Sequence, residues 1–347
     1  MDLKNLIKRT GIQMRFALSL SAILIVTISS CQKDNVSLND SNSLKTAIPI
    51  KPTSLTSTAA LTYKISGPIS LTGVKNMTIS GESITGGNVP CISLTNCTNI
   101  IITHCKLINS TTTGVNLYNC VNISVDTSYI SNVSTGVYAS TCQSIKVLDN
   151  QMENMVGPLP RGQFVQFNNV SGPGNNVINN RCENIMGSSD PEDAISMYMT
   201  NGTAASPVII SWNWIRGGGP SNTGGGIILG DNGGSYQIAE DNILVNPGQY
   251  GMGVAGGTNM EILNNEIYAA QNTFTNVGIS VWNQYTNISA SSGITVSGNK
   301  VNWTNSTGAS NPDWNEGNCG TVTGWSSNTW GANITSSILP ATLITLN

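Results

Sequence analysis

Eight times between residues 92 and 281 the chain repeats a short run that begins on an apolar residue and returns to a small or apolar one two positions later. The runs are Ile92-Ser93-Leu94, Val115-Asn116-Leu117, Val137-Tyr138-Ala139, Val165-Gln166-Phe167, Ile195-Ser196-Met197, Ile227-Ile228-Leu229, Met252-Gly253-Val254 and Ile279-Ser280-Val281. Their first residues are spaced by 23, 22, 28, 30, 32, 25 and 27 positions. An interval of this size, recurring this often, marks stacked copies of one unit that cannot bury its apolar face alone.

A second signal falls at its own register in each step, at Cys105, Ser128, Asn150, Asn180, Asn213, Asn242, Asn265 and Asn299. In a parallel stack, equivalent residues of successive turns lie about 4.8 Å apart, so one Asn per turn can bond to the Asn above and below it while closing a tight bend. The steps hold no apolar residues at helical spacing for three turns, whereas Val, Ile, Thr, Asn, Ser and Gly dominate. Short strands joined by turns are therefore expected, and leucine-rich or ankyrin-like solenoids are disfavoured.

Over residues 67 to 305 the chain resembles the right-handed parallel β-helix proteins of the pectate-lyase-like superfamily. The resemblance implies an all-β, right-handed parallel β-helix at 61–305, with a short N-terminal cap and an irregular C-terminal cap at 306–347. The Trp-rich segment with Trp314, Cys319, Trp325 and Trp330 is expected to cover the open end, since a bare last coil would expose strand edges. Many members of the superfamily are polysaccharide lyases, glycoside hydrolases or epimerases, and others are adhesins without catalysis. Fold alone does not choose among them.

Residues 1–30 read as an export signal, with Lys4, Lys8, Arg9 and Arg15 ahead of the apolar run Phe16 to Ile28. That run is shorter than the roughly 20 residues a membrane span needs. It ends in Ile28-Ser29-Ser30-Cys31, which resembles a bacterial lipobox, so Cys31 is the expected lipid attachment site. Gln32-Lys33-Asp34 is similar to tags that carry lipoproteins to the outer face of the outer membrane, and the Ser/Thr/Asn/Lys-rich stretch to residue 60 reads as a flexible tether. A cell-surface-facing outer-membrane lipoprotein, monomeric, is the resulting expectation. With 15 Lys and Arg against 18 Asp and Glu, and one His, the chain is a poor nucleic-acid partner.

Cys31 aside, seven Cys remain, an odd number that argues against full pairing. Cys97, Cys120 and Cys142 share one register and are expected to stack as free, buried thiols, with a single bridge among them as the alternative.

The later coils swell mainly in one connection each: Gly157 to Gln163, Gly187 to Asp193, Gly217 to Gly225, Asn246 to Tyr250 and Ala269 to Val277. A row of such loops on one side would wall a groove able to hold an extended polymer. The richest loop carries Asp190, Glu192 and Asp193, which can together bind a cation such as calcium, hold one carboxyl at a raised pKa, or cap a turn. Arg161 lies one coil earlier and could pair with these acids or meet a substrate carboxylate. Gln163, Gln166, Asn168, Ser196 and Tyr198 form a polar strip beside them; Asp231, Gln249, Tyr250, Trp282, Asn283, Gln284 and Tyr285 supply amides and aromatic faces suited to sugars. Arg216 and Lys300 align with Glu183 and Glu266 as surface ion pairs, and His104 sits among the compact coils in a structural role.

The leading expectation is β-elimination on an acidic, uronate-containing polysaccharide. Asp190, Glu192 and Asp193 would hold calcium or substrate, and Arg161, Tyr198, Glu192 and Asp193 would stand nearest the chemistry. Glycoside hydrolysis by paired carboxyls is the alternative, and a glycan-binding or adhesive surface protein without turnover is the third reading. The polygalacturonase Asp-Asp, Gly-His-Gly and Arg-x-Lys motifs are absent, as is a Lys just after the acids.

Overall fold

A computed structural model describes residues 62–285 and 290–346. Cys31, the leader and the tether to residue 60 lie outside the described residues. The described chain is a right-handed parallel β-helix whose coils present three faces. The first face stacks Glu82–Gly87, Gln151–Met155, Arg181–Glu183, Trp214–Arg216, Ile243–Val245, Glu266–Ala269 and Lys300–Trp303. The second stacks Ile69–Thr72, Ile92–Thr95, Val165–Asn168, Ile195–Tyr198, Ile227–Asp231, Tyr250–Val254 and Val277–Val281. Two long strands, Lys106–Tyr118 and Tyr129–Ser140, run through both faces without a break. The third face is a ten-stranded sheet from Lys75–Ser80 to Val322–Thr323.

The repeat read from the sequence is the strand register of the second face. Ile92, Val115, Val137, Val165, Ile195, Ile227, Met252 and Ile279 pair each with the next, and all are buried in one continuous core. At each third-to-first-face corner the chain takes one residue in the left-handed region, such as Asp149, Asn179, Trp212, Asp241 and Asn264 at φ 54–59°. The next residue then turns its side chain inward. There Asn150, Asn180, Asn213, Asn242, Asn265 and Asn299 form an unbroken ladder of Nδ2-to-Oδ1 bonds of 2.9–3.0 Å. The ladder ends one rung later than the sequence suggests, at Asn328, which accepts from Asn299 at 2.7 Å. His104 occupies the same bend in its coil at φ 52° and bonds Thr103.

The thiols of Cys97, Cys120 and Cys142 are free and stacked, the Cys97 and Cys120 N–H groups donating to the next sulfur at 3.4 and 3.3 Å. Arg216 pairs with Glu183 and Lys300 with Glu266, each at 2.9 Å.

Parallel pairing continues past residue 305, through Asp313–Asn315 on the second face and Thr329–Trp330 on the first. Trp325 and Trp330 pack together against the core at that end, with centroids 5.0 Å apart. The tail then doubles back along the first face. Leu339 and Leu343 pack on Val245 with Trp214, Ile243 and Tyr268, the Arg216 guanidinium donates to the Ala341 carbonyl, and Gln151 Oε1 accepts from Leu346 N–H at 2.8 Å. The apolar residues that the first face turns outward explain this course.

Candidate functional site

All five long connections join the first face to the second, so they line one corner of the prism. Between them and the outer side of the second face runs a cleft of about 330 Å³, floored by Ile228 and Ser280 and walled by Asn222, Thr223, Gln249 and Asn276. Trp282 and Gln284 border it, and Trp314 stands edge-on to Trp282 at 5.7 Å between centroids. Trp314, expected as part of an end cap, is therefore a cleft residue. Among the described residues no Lys or Arg lines this cleft.

Two residues at one end of the cleft hold acids. The Thr223 hydroxyl donates to Glu192 Oε1, and Ser221 donates to Oε2 at 2.6 Å. With both oxygens engaged, Glu192 holds the glycine-rich 217–225 loop in place. The Tyr250 hydroxyl donates to Asp193 Oδ1, which also accepts from Gly225 N–H at 3.2 Å. Asp193 Oδ2 takes no hydrogen bond among the described residues and is not sealed from solvent.

Burial pushes the Asp193 carboxyl up to about 7; the nearby charges of Asp231 and Glu192 push the same way, and the Tyr250 bond opposes them. Asp231 stands opposite Tyr198 in the strand pairing and accepts from the Tyr285 hydroxyl. Its carboxyl is also raised, again by burial and against the tyrosine bond. Two carboxyls within Coulomb reach of one another, each held by a tyrosine from a later coil, are thus brought together from residues the sequence places 38 positions apart.

The Tyr250 bond depends on a missing side chain. Gly225 lies between Asp193 and Tyr250 in the stack, and a Cβ there would stand 2.6 Å from both the Tyr250 ring and its carbonyl oxygen. Gly225→Ala is expected to displace the ring and break the bond that holds the Asp193 carboxyl down, so this carboxyl should titrate at higher pH in the variant, as read from its side-chain carbon resonance. An unchanged titration would show that the Tyr250 bond does not set it.

Several expected site residues have other work. The Arg161 guanidinium stacks on Tyr138 at 4.2 Å and donates to Gln166 Oε1 at 2.7 Å, and it forms no ion pair with the acids among the described residues. Gln163 is buried, donating to Pro160 and accepting from Thr135. Gln166 and Ser196 point away from the core yet are covered, Asn168 donates to Tyr138 Oη at 3.0 Å, and Asn283 is tied to Asn318. Tyr198 accepts from Asn232 at 2.8 Å and lies on the Asp231 side, away from Arg161.

The three acids of the trio have different surroundings. Glu192 and Asp193 lie in the bend just ahead of the Ile195–Tyr198 strand, and each is drawn to a different later coil. Glu192 turns to Ser221 and Thr223, Asp193 to Tyr250, and Asp190 is exposed beyond Pro191. No group of three His, Cys, Asp or Glu among the described residues is placed to hold a metal. Ser221 and Thr223, which hold Glu192, and Asn232, which holds the Tyr198 hydroxyl, carry no sequence signal beyond their place in Gly-rich turns.

No protein-family profile matches the sequence, and no curated protein matches it. Among solved structures, the catalytic domain of a GH87 alpha-1,3-glucanase in complex with tetrasaccharides is similar, with a TM-score of 0.43 and 13% identity, over 75% of this chain and 50% of that one. The chain thus spans half the length of that structure.

Proposed function

We propose that this protein is an exported glycoside hydrolase acting on a neutral polysaccharide laid along the second-face cleft. The observation that carries the proposal is the Asp193/Asp231 pair. Glycosidic cleavage needs a carboxyl that keeps its proton near neutrality and a second that does not share its task. Asp193, raised to about 7 with Oδ2 free, is the proton donor to the departing sugar oxygen. Asp231 is the partner carboxyl across the sugar. Glu192 acts as a positioning residue through Ser221 and Thr223, and Trp282, Trp314, Gln249 and Gln284 offer ring faces and amides to the polymer.

A neutral substrate follows from the charge of the site. A uronate chain would bring its carboxylates toward Asp193 and Glu192, which stand behind Tyr250 and Thr223 of the cleft wall, with no Lys or Arg among the described lining residues to meet them. Elimination would also need a base, and burial together with the Asp193 charge pushes the Tyr250 phenol well above its usual range. Anchorage through Cys31 to the outer membrane, facing outward, is part of this proposal and rests on the leader and the Gln32-Lys33-Asp34 run.

The test is incubation with neutral and uronate-containing polysaccharides, reading new reducing ends and unsaturated-uronate absorbance in parallel. Reducing ends from a neutral glycan, lost in Asp231→Asn and indifferent to a chelator, are the expected result. Absorbance that rises on a uronate polymer would replace this reading with a lyase.

A further inference from the structure

The two ends of the cleft differ. Its lining runs from Asn222 past Ile228 and Ser280 to Trp314, and among the described residues none before Asn222 lines it. The outward row of the second face nevertheless continues beyond Ile228 as Ser196, Gln166, Tyr138, Asn116, Ser93 and Ser70, each paired with the next. Ser196 and Gln166 face away from the core yet are only 1% and 7% exposed, whereas Asn116 and Ser93 are half-buried and Ser70 is exposed. The row is thus roofed next to Ile228 and opens again further on.

Arg161 lies across the roofed stretch. Its guanidinium stacks 4.2 Å from the Tyr138 ring centroid and donates to Gln166 Oε1 at 2.7 Å, and Asn168 holds the ring by donating to Tyr138 Oη at 3.0 Å. The loop that carries Arg161 is itself braced. Arg161 N–H donates to the Pro158 carbonyl at 2.9 Å, Gly162 N–H to Thr135 Oγ1 at 3.1 Å, and Gln163 Nε2 to the Pro160 carbonyl at 3.1 Å. A Cβ on Gly162 would stand 2.5 Å from the Glu192 backbone nitrogen, so this loop is packed onto the next. A side chain held in this way is a fixed wall.

The acids stand at the walled end. Asp231 closes the strand that carries Ile228, and Asp193 precedes the Ile195–Tyr198 strand, one coil nearer to Arg161. The other end offers Trp282 and Trp314, 41% and 39% exposed. One coil rise, about 4.8 Å, separates Ile228 from the sealed Ser196, so a chain entering past the tryptophans meets the acid pair with its terminal part only.

We infer that the cleft is blind at the acid end, closed by Arg161 and the side chains it covers, so that the protein removes a mono- or disaccharide from a chain end instead of cutting within the chain. This rests on the hydrolase reading of Asp193 and Asp231. The bond that breaks is the glycosidic C–O bond: the departing oxygen takes a proton from Asp193, and water gives its OH to the anomeric carbon and its proton back to the carboxyl pair.

The test is incubation of the whole protein with amylose, dextran, mixed-linkage β-glucan, glucomannan and xylan, following reducing ends, viscosity and product size together. A mono- or disaccharide is expected as the first soluble product, with viscosity falling only in proportion to the mass released. An early ladder of longer oligosaccharides with a collapse of viscosity overturns the inference and leaves the hydrolase reading standing. No new reducing ends from any of the five removes the hydrolase reading, and this inference with it. Arg161→Ala should raise the viscosity lost per new reducing end severalfold; an unchanged ratio overturns closure of the cleft by this side chain.

Discussion

Asp193→Asn is expected to lower glycan turnover by about 10²–10⁴-fold, the usual worth of a positioned proton donor, and to make the folded protein more stable above neutral pH. The two effects have one cause. The Asp193 carboxyl is raised from 3.8 to about 7 in the fold, mainly by burial, so the folded state binds a proton more tightly than the unfolded chain does. Between those two values the unfolded state is ionised and the folded state is not. Stability contributed by this group is therefore complete below about 4 and is lost as pH rises through about 7. Asparagine keeps the shape and can still accept from Tyr250 and Gly225 through Oδ1, but it has no charge to desolvate. The variant should gain on the order of 2 kcal/mol over the wild type at alkaline pH, with little difference at acid pH. Urea midpoints across the pH range measure this, and the wild-type turnover should fall through the same pH interval. A variant that is inactive but no more stable at high pH would mean that Asp193 is ionised in the fold at neutrality, and the proton-donor role would fall with it.

The coils are legible in the sequence because each carries two demands that few residues meet. An inward position in a parallel stack must be apolar, and the corner that follows the third face must offer an amide both above and below it. Ile195 and Asn180 announce their places for those reasons. The extra rung at Asn328 keeps the interval, 29 residues after Asn299, but it lies in the Trp-rich segment that reads as an irregular cap.

The site is legible only in part. Asp193, Asp231, Tyr250, Trp282 and Tyr285 can be picked out as polar or aromatic residues on one row of loops. Their joining cannot, because the Tyr250–Asp193 bond spans 57 residues and passes over Gly225. Arg161 shows the converse. Sequence places it beside three acids, but the ring of Tyr138, one coil back, offers the guanidinium a flat face and Gln166 an acceptor. The acid trio misleads because adjacency in sequence does not show partners in later coils: Glu192 is drawn to Ser221 and Thr223, and Asp193 to Tyr250.

Asn213→Ala should be the most damaging single change to the fold, at about 3–5 kcal/mol, and comparison with Asn99→Ala explains why. The Asn213 amide donates to Asn242 Oδ1 and the Val177 carbonyl at 2.9 and 2.8 Å, and its Oδ1 accepts from the Asn180 backbone and Nδ2 at 3.1 and 2.9 Å. It is fully buried. Removing it leaves the Asn180 N–H and the Val177 oxygen facing a cavity that water cannot easily serve, at about 1–3 kcal/mol for each orphaned group, and the lost rung severs two stacked halves. Asn99 also belongs to a ladder, donating to Asn76 and accepting from Asn122 at 2.8 Å each, but that ladder is exposed. Water replaces its bonds, so Asn99→Ala should cost only about 1 kcal/mol, mostly for placing alanine at φ 56°. In a solenoid each coil touches only its neighbours, so the Asn213→Ala protein should also unfold in a broader urea transition, as the coils before and after the break lose their coupling. Equal midpoints for the two variants would mean that the apolar core alone keeps the coils in register and that the buried ladder follows the fold rather than holding it.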